Sequence, residues 1–156
     1  MPAEAVCSSK PLTDAFHERV RLRLPLVLFN TGATALVVTD LRIEVDGDPN
    51  RTGFDWITTR STLRPGSEDD HRSATAFAVR GREARELIAE FGDNAGWSPT
   101  PGSKHRMHVL AMVAPSQDWT NLGWFDWWAP PPGATTSAYI AHRNVPPDDP
   151  ALQVAA

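Results

Sequence analysis

The sequence predicts an all-β fold of the Greek-key sandwich class, and three features support that prediction. Leu22, Leu24, Leu26 and Leu28 recur at every second residue, the period at which a strand turns its side chains to one face. Pro and Gly are frequent, at 14 and 10 of 156 residues, which favours many turns and few long helices. A chain of this length forms one domain and can bury a full sandwich core.

The first strand is predicted over residues 16–29, with its leucines on one face. Pro25 lies inside this run, and because proline cannot donate to a ladder, this point of the strand should lie at an edge or a bulge. The segment Asn30-Thr31-Gly32 predicts a tight connection, since Asn and Gly tolerate a positive φ.

A second strand is predicted over residues 36–45, and its apolar pattern changes phase. Leu36 and Val38 alternate, whereas Leu41, Ile43 and Val45 alternate one step later. One extra residue would produce that shift, so we expect a β-bulge near Thr39-Asp40.

The remaining strands are predicted over residues 54–59, 74–80, 86–91, 104–114 and 137–142. The composition around 86–91 is also helical, which allows one short helix near 82–88. Apolar residues occupy both faces of 104–114, which predicts a central strand covered on both sides.

Seven or eight short strands separated by turns are typical of an immunoglobulin-like Greek-key β-sandwich. We expect this single domain to span residues 16–145. A loosely held arm over 1–15 should precede it, and a proline-rich acidic tail over 146–156 should follow it.

Composition limits the partners and the compartment. The net charge is −4 with both signs interspersed, so neither nucleic acid nor an anionic membrane surface is an expected partner.

Cys7 is the single cysteine and allows no intrachain disulfide, which favours the cytoplasm. Neither a signal peptide nor 18 consecutive apolar residues are present, so we expect no membrane insertion. The chain is therefore predicted to be cytoplasmic, or a soluble domain trimmed from a membrane-anchored protein. Thirteen Arg against two Lys suggest a GC-rich bacterial source.

The tryptophan-rich segment 119–128 holds the candidate binding residues, which are Trp119, Trp124, Trp127 and Trp128. If this segment is a strand, Trp124 and Trp128 share one face, and Phe125 and Trp127 share the other. Only one face of an outer strand can enter the core, so some rings must cover an edge, line a groove or remain exposed. The alternative is that all of the rings cap the end of the sandwich and pack on residues 130–132.

One acidic pattern matches the start of a calcium loop. Asp46, Asp48 and Asn50 stand at alternate positions, as alternating oxygen ligands do. The match then fails, because Arg51 stands where Gly is required and Ile57 where a bidentate Glu is required. We therefore expect a simple turn.

The other titratable residues predict neither a metal nor a catalytic site. The cluster Glu68-Asp69-Asp70-His71 is expected to be a solvated loop. His105 and His108 are three residues apart and should lie on opposite faces of a strand, where they cannot share one metal. The sequence contains no Gly-x-Ser-x-Gly nucleophile motif and no phosphate-binding loop. We predict no catalytic residue, metal or cofactor.

The residues from Leu26 to Val45 resemble those of bacterial immunoglobulin-like modules, including CARDB-like and related adhesion or accessory domains. In these modules a strand ending in Asn-x-Gly is followed by a second strand. Phe77-Ala-Val-Arg-Gly81 and Phe91 are similar to a looser pattern in uncharacterised bacterial proteins, many of which carry an N-terminal membrane helix. The resemblance implies an immunoglobulin-like fold and brings no functional residues with it.

The predicted function is a non-catalytic binding or assembly module, with a protein partner favoured over a sugar. The first alternative is a carbohydrate-binding module that uses the tryptophan cluster. The second alternative is a hydrolase-type enzyme that uses loop carboxylates.

Overall fold

The computed structural model describes residues 5–10, 19–48, 53–63, 66–93, 97, 99–100, 102–129 and 140–142. These residues form ten β-strands and no helix. The strands are β1 Ala5–Lys10, β2 Arg19–Phe29, β3 Leu36–Val45, β4 Gly53–Arg60, β5 His71–Ser73, β6 Phe77–Val79, β7 Ala84–Asp93, β8 Lys104–Val113, β9 Trp119–Trp128 and β10 Ile140–His142. The all-β prediction is confirmed.

The strands follow one path through the sheet, in the order β10-β1-β2-β7-β4-β3-β8-β9, and every pairing is antiparallel. Two short strands lie off this path, with β5 beside β4 and β6 beside β3. The inward faces from β2 to β9 contribute to a single hydrophobic core. A single sheet can bury one of its faces in one core only if it curls. The molecule is therefore an open half-barrel.

Strand β2 has the predicted alternation. Leu22 and Leu24 are fully buried, and Leu26 is nearly so. Strand β1 pairs with β2 only from Arg19 to Arg23. Among the described residues no strand pairs with β2 on that side at Pro25, which agrees with the predicted edge position.

The predicted bulge in β3 is also confirmed. Val38 pairs with Val113, and Asp40 pairs with Met112, which leaves Thr39 as the extra residue. Because of this residue, Val38 and Leu41 both face the core although they are three positions apart.

The connection after β2 differs from the prediction. Strands β2 and β3 do not pair with each other, and neither Asn30 nor Gly32 has a positive φ. The buried side chain of Asn30 closes the turn instead. Its amide donates to the carbonyls of Thr34 and Val79, at 2.8 and 3.1 Å, and its oxygen accepts from the Gly32 N–H at 2.9 Å. A side chain that replaces backbone hydrogen bonds removes the need for a left-handed residue.

The short helix allowed near 82–88 is wrong. Strand β7 begins at Ala84 and pairs with β2 on one side and β4 on the other. Pairing on both sides satisfies the backbone of β7 and outweighs its local helical propensity. The left-handed residue of the region is Arg82, with φ of 60°, whose N–H donates to the carbonyls of Asn30 and Gly32.

Two further expectations are refined. Strand β8 is central, but its outer face is covered only in part, because Leu110 is buried whereas Lys104 and Arg106 are exposed. Strand β1 lies within residues 1–15, which were expected to form a loose arm. The predicted tail at 146–156 lies outside the described residues.

No helix of the described residues is long and apolar enough to cross a membrane.

Candidate functional site

Strand β9 divides its aromatic side chains between two environments, as the alternation predicts. Phe125 and Trp127 face the core, and Trp127 is only 1% exposed. The ring of Trp127 lies 5.8 Å from that of Trp97 and 6.0 Å from that of His105. Trp124 is on the outer face and is 57% exposed. Trp127 is therefore a core residue, whereas Trp124 is available at the surface.

The other two tryptophan candidates are half-buried. Trp128 shares the outer face with Trp124, and Trp119 lies at the start of β9 opposite Met112. The four candidates thus do not form one continuous exposed platform.

An apolar groove separates β2 from β9, at the place where the curled sheet fails to close. We call it the seam groove; it is lined by residues 24–28, Val109 and residues 122–125. The side chain of Trp124 forms part of its rim. No ionisable side chain lies among these lining residues, so the groove suits an apolar ligand surface.

Exposed apolar side chains lie in the groove and at the end of β2. Val27 and Phe29 are 49% and 63% exposed at the end of β2, and Leu122 is 39% exposed on β9. Leu122 is the extra residue of a bulge, because Val109 pairs with Gly123 and Leu110 pairs with Asn121. Several exposed apolar side chains at one groove are typical of an interaction site.

Each side of the seam groove carries a strand edge. Among the described residues, β9 pairs only with β8, which leaves its other edge free. No described residue pairs with this edge of β2 beyond Arg23, but Pro25 has no N–H to offer there. An extended segment in the groove would therefore pair with β9 rather than with β2.

A row of charged and aromatic side chains borders the groove on the outer face of β8 and β9. The guanidinium carbon of Arg106 lies 4.0 Å from the ring centre of Trp124, and Lys104 Nζ lies 5.6 Å from that of Trp128. Asp126 joins the two cations, with Oδ2 at 2.8 Å from Lys104 Nζ and Oδ1 at 3.2 Å from Arg106 Nε. The hydrogen bonds from Lys104 and Arg106 lower the pKa of Asp126. This row, which we call the Trp–cation row, carries one net positive charge and holds Trp124 in place.

A buried ionic network lies on the outer face of β2, β7 and β4. Arg23 Nε lies 2.6 Å from Glu90 Oε2, and Arg23 Nη1 lies 3.0 Å from Asp69 Oδ2. Arg60 contacts the same two carboxylates, at 3.0 Å from Glu90 and 3.4 Å from Asp69. Burial opposes ionisation of Glu90, but the hydrogen bonds and charges of Arg60 and Arg23 outweigh it and lower the pKa of Glu90.

The network corrects the prediction for loop 68–71. Asp69 is 5% exposed and is fixed between Arg23 and Arg60, whereas Glu68, Asp70 and His71 are exposed as expected. The sequence contained one usable signal, since Arg23 stands on the face of β2 opposite the leucines. Its partners are distant in sequence and could not be identified from spacing. The ion pairs of Asp69 with Arg23 and Arg60 hold this loop against the sheet.

The histidines and acidic turns form no metal site in the described residues, which contain no group of three possible ligands. His105 and His108 lie on opposite faces of β8 as predicted. Burial lowers the pKa of His105, and Ser103 Oγ lies 2.7 Å from its Nε2. His108 lies on the outer face, with Nε2 3.8 Å from Asp46. Gly47 forms the expected turn with φ of 72°, and Asn50 lies outside the described residues.

Comparisons with known proteins add little to this geometry. No protein-family model and no curated protein matches the chain. One similar solved structure is described as the crystal structure of a protein from Archaeoglobus fulgidus, with 12% identity and a TM-score of 0.39. The match covers 81% of this chain and 94% of that one. A likeness at this level indicates neither a family nor an activity.

Proposed function

We propose that this chain is a non-catalytic protein-binding module that receives its partner at the seam groove. The observation that carries the proposal is the combination of an apolar groove with the edge of β9 that none of the described strands pairs. Trp124 and Leu122 project there as exposed apolar groups. Tryptophan is among the residue types that contribute most to protein–protein affinity.

The immunoglobulin-like sandwich remains part of this proposal. The pairings β1-β2-β7-β4 and β3-β8-β9 follow the order A-B-E-D and C-F-G of an immunoglobulin constant-type domain. Three residue pairs between β3 and β4 join the two groups at one side. We infer a sandwich that is closed at the β3–β4 side and open at the seam groove. Modules of this architecture bind partners through strand edges and end loops.

A sugar ligand is the weaker alternative. Stacking on a polysaccharide requires flat exposed rings in a row, whereas Trp124 is the one candidate tryptophan with most of its surface exposed. Arg106 also covers one face of that ring. An enzyme is weaker still, because Glu90 and Asp126, the carboxylates with displaced pKa values, are both held by cations.

The experiment uses a photo-crosslinking amino acid in place of Leu122, in cells of the source organism. Ile57 provides a matched control, because it is also the extra residue of a bulge. Its exposed fraction is 36%, against 39% for Leu122. We expect a defined protein adduct at position 122 that is absent at position 57. The adduct should weaken at least about tenfold when Trp124→Ala is added. Equal labelling from both positions would refute the proposal. Retardation by a polysaccharide gel that depends on Trp124 would support the sugar alternative instead.

A further inference from the structure

The outer faces of β4, β3, β8 and β9 together form one continuous surface. The register aligns Gly53, Glu44, His108 and Trp124 in a single row across these four strands. Their neighbours along each strand belong to the hydrophobic core, so the row itself faces away from the core. We call the surface around this row the β3–β8 face.

Charge is divided between the two sides of the β3–β8 face. Asp55 on β4, Glu44 on β3 and Asp46 directly after β3 lie on one side, and the side chains of Asp46 and Asp55 are more than half exposed. Arg42 stands among these acids, so this side keeps a negative net charge. The Trp–cation row lies on the other side and carries one net positive charge. The face therefore has an acidic side on β4 and β3 and a cationic side on β8 and β9.

Gly53 and Trp124 stand at opposite ends of the central row and complement each other in shape. Gly53 has no side chain, and the Arg42 guanidinium lies over it, where an added Cβ would overlap with Arg42 Nε and Cζ. The carboxylate oxygens of Glu44 and Asp55 are 3.9 and 4.0 Å from Arg42, so neither forms a close ion pair with it. Trp124 projects as an exposed indole ring. A planar guanidinium with weak ion pairs is a suitable partner for such a ring.

We propose that the β3–β8 face is an interface between two copies of this chain. A two-fold axis that runs along the strands, between β3 and β8, sets the acidic side of each copy against the cationic side of the other. The same rotation places Trp124 of one copy over Gly53 and Arg42 of the second copy. Each contact then occurs twice, as an isologous interface requires. The division of charge favours this orientation and opposes one that sets acid against acid.

The interface goes beyond the proposed function, because the surface and the occupant both differ from those of the seam groove. Trp124 belongs to both surfaces. A second copy that covers Trp124 competes with a protein partner at the groove. Self-association should therefore lower the apparent affinity for that partner.

The test measures the association constant of the full chain by sedimentation over a series of protein concentrations. One variant reverses the acidic side with Glu44→Lys and Asp46→Lys, and a second reverses the cationic side with Lys104→Glu and Arg106→Glu. We expect a dimer for the unmodified chain. Each variant alone should associate at least about tenfold more weakly, because like charges then face each other across the axis.

Mixing the two variants gives the sharpest result, because the lysines of one then face the glutamates of the other. The mixed pair should associate at least about tenfold more tightly than either variant alone. Recovery on mixing also shows that both variants are folded. The control is Glu83→Lys with Glu86→Lys, which changes the net charge equally at exposed residues before and within β7. This control should associate as the unmodified chain does.

A chain that stays monomeric at millimolar concentration would overturn the inference. A dimer that neither reversal weakens would also overturn it, since a different surface would then join the copies. Weakened variants that do not recover on mixing would show that these charges do not meet across the interface, and would overturn it too. No other protein is present in this test, so its failure leaves the proposed function, which the adduct at position 122 tests, unaffected.

Discussion

Substitution of Glu90 tests the buried ionic network most directly. The Glu90 carboxylate lies 2.6 Å from Arg23, 3.0 Å from Arg60 and 3.4 Å from Arg21. With Asp69 as the second anion, the buried set of two arginines and two carboxylates is formally neutral. Glu90→Gln would leave one positive charge uncompensated, and the amide would present N–H groups to at least one guanidinium.

The expected loss follows from how well each partner is buried. Removing one member of a buried ion pair costs about 3–5 kcal/mol. The Arg60 side chain is 17% exposed, so water relieves part of that cost, and we expect a loss of about 3 kcal/mol in the free energy of unfolding. Arg21→Gln is the control, because its side chain is 46% exposed and should contribute less than about 1 kcal/mol.

Urea unfolding monitored by tryptophan fluorescence measures both variants. A loss for Glu90→Gln as small as that for Arg21→Gln would refute the reasoning. The pH dependence gives a second check. The pKa of Glu90 is lowered on folding from its ordinary 4.5, so its stabilising effect is fully present above pH 4.5. It is lost as the pH falls through the folded-state pKa, and the two proteins should then converge in stability.

Three further outcomes are expected from the core and the turns. Trp127→Ala should lower the free energy of unfolding, measured with urea, by about 3–5 kcal/mol, and Trp128→Ala should lower it by less than half as much. Equal losses would show that both rings are core residues. Gly81→Ala should lower Tm and cost about 1–3 kcal/mol, because a Cβ there meets the carbonyl of Ala33; an unchanged Tm would show that this approach can relax. Burial lowers the pKa of His105 from its ordinary 6.5, so the free energy of unfolding should be steady above pH 6.5 and fall as the pH drops below it towards the folded-state pKa. Substitution of His105 by Gln should remove that slope, and persistence of the slope would assign it to another group.

Features set by alternation along one strand were predictable from the sequence. The change of phase between Val38 and Leu41 located the bulge in β3 to within two residues, at Thr39-Asp40. The alternation in 124–128 separated the buried Trp127 from the exposed Trp124. In both cases the information lies within a few neighbouring residues and depends only on the two-residue period of a strand.

Features that depend on long-range pairing were not predictable. Strand β7 has helical composition, and only its position between β2 and β4 makes it a strand. Arg23 and Glu90 are 67 residues apart, and a shift of one residue between β2 and β7 would place them on opposite faces. The seam groove depends on which two strands fail to meet when the sheet curls, and no local pattern encodes that.

Pro25 has a consequence for assembly between molecules. One way for copies to add to one another is for β9 of one copy to pair with the part of β2 beyond Arg23 in the next, which no described residue pairs. Such head-to-tail contacts do not close, and they lead to filaments. Pro25 lacks a hydrogen-bond donor near the start of this stretch of β2, so that pairing is interrupted there. The molecule can therefore offer the edge of β9 to a partner while the stretch of β2 across the seam groove resists the same pairing with another copy.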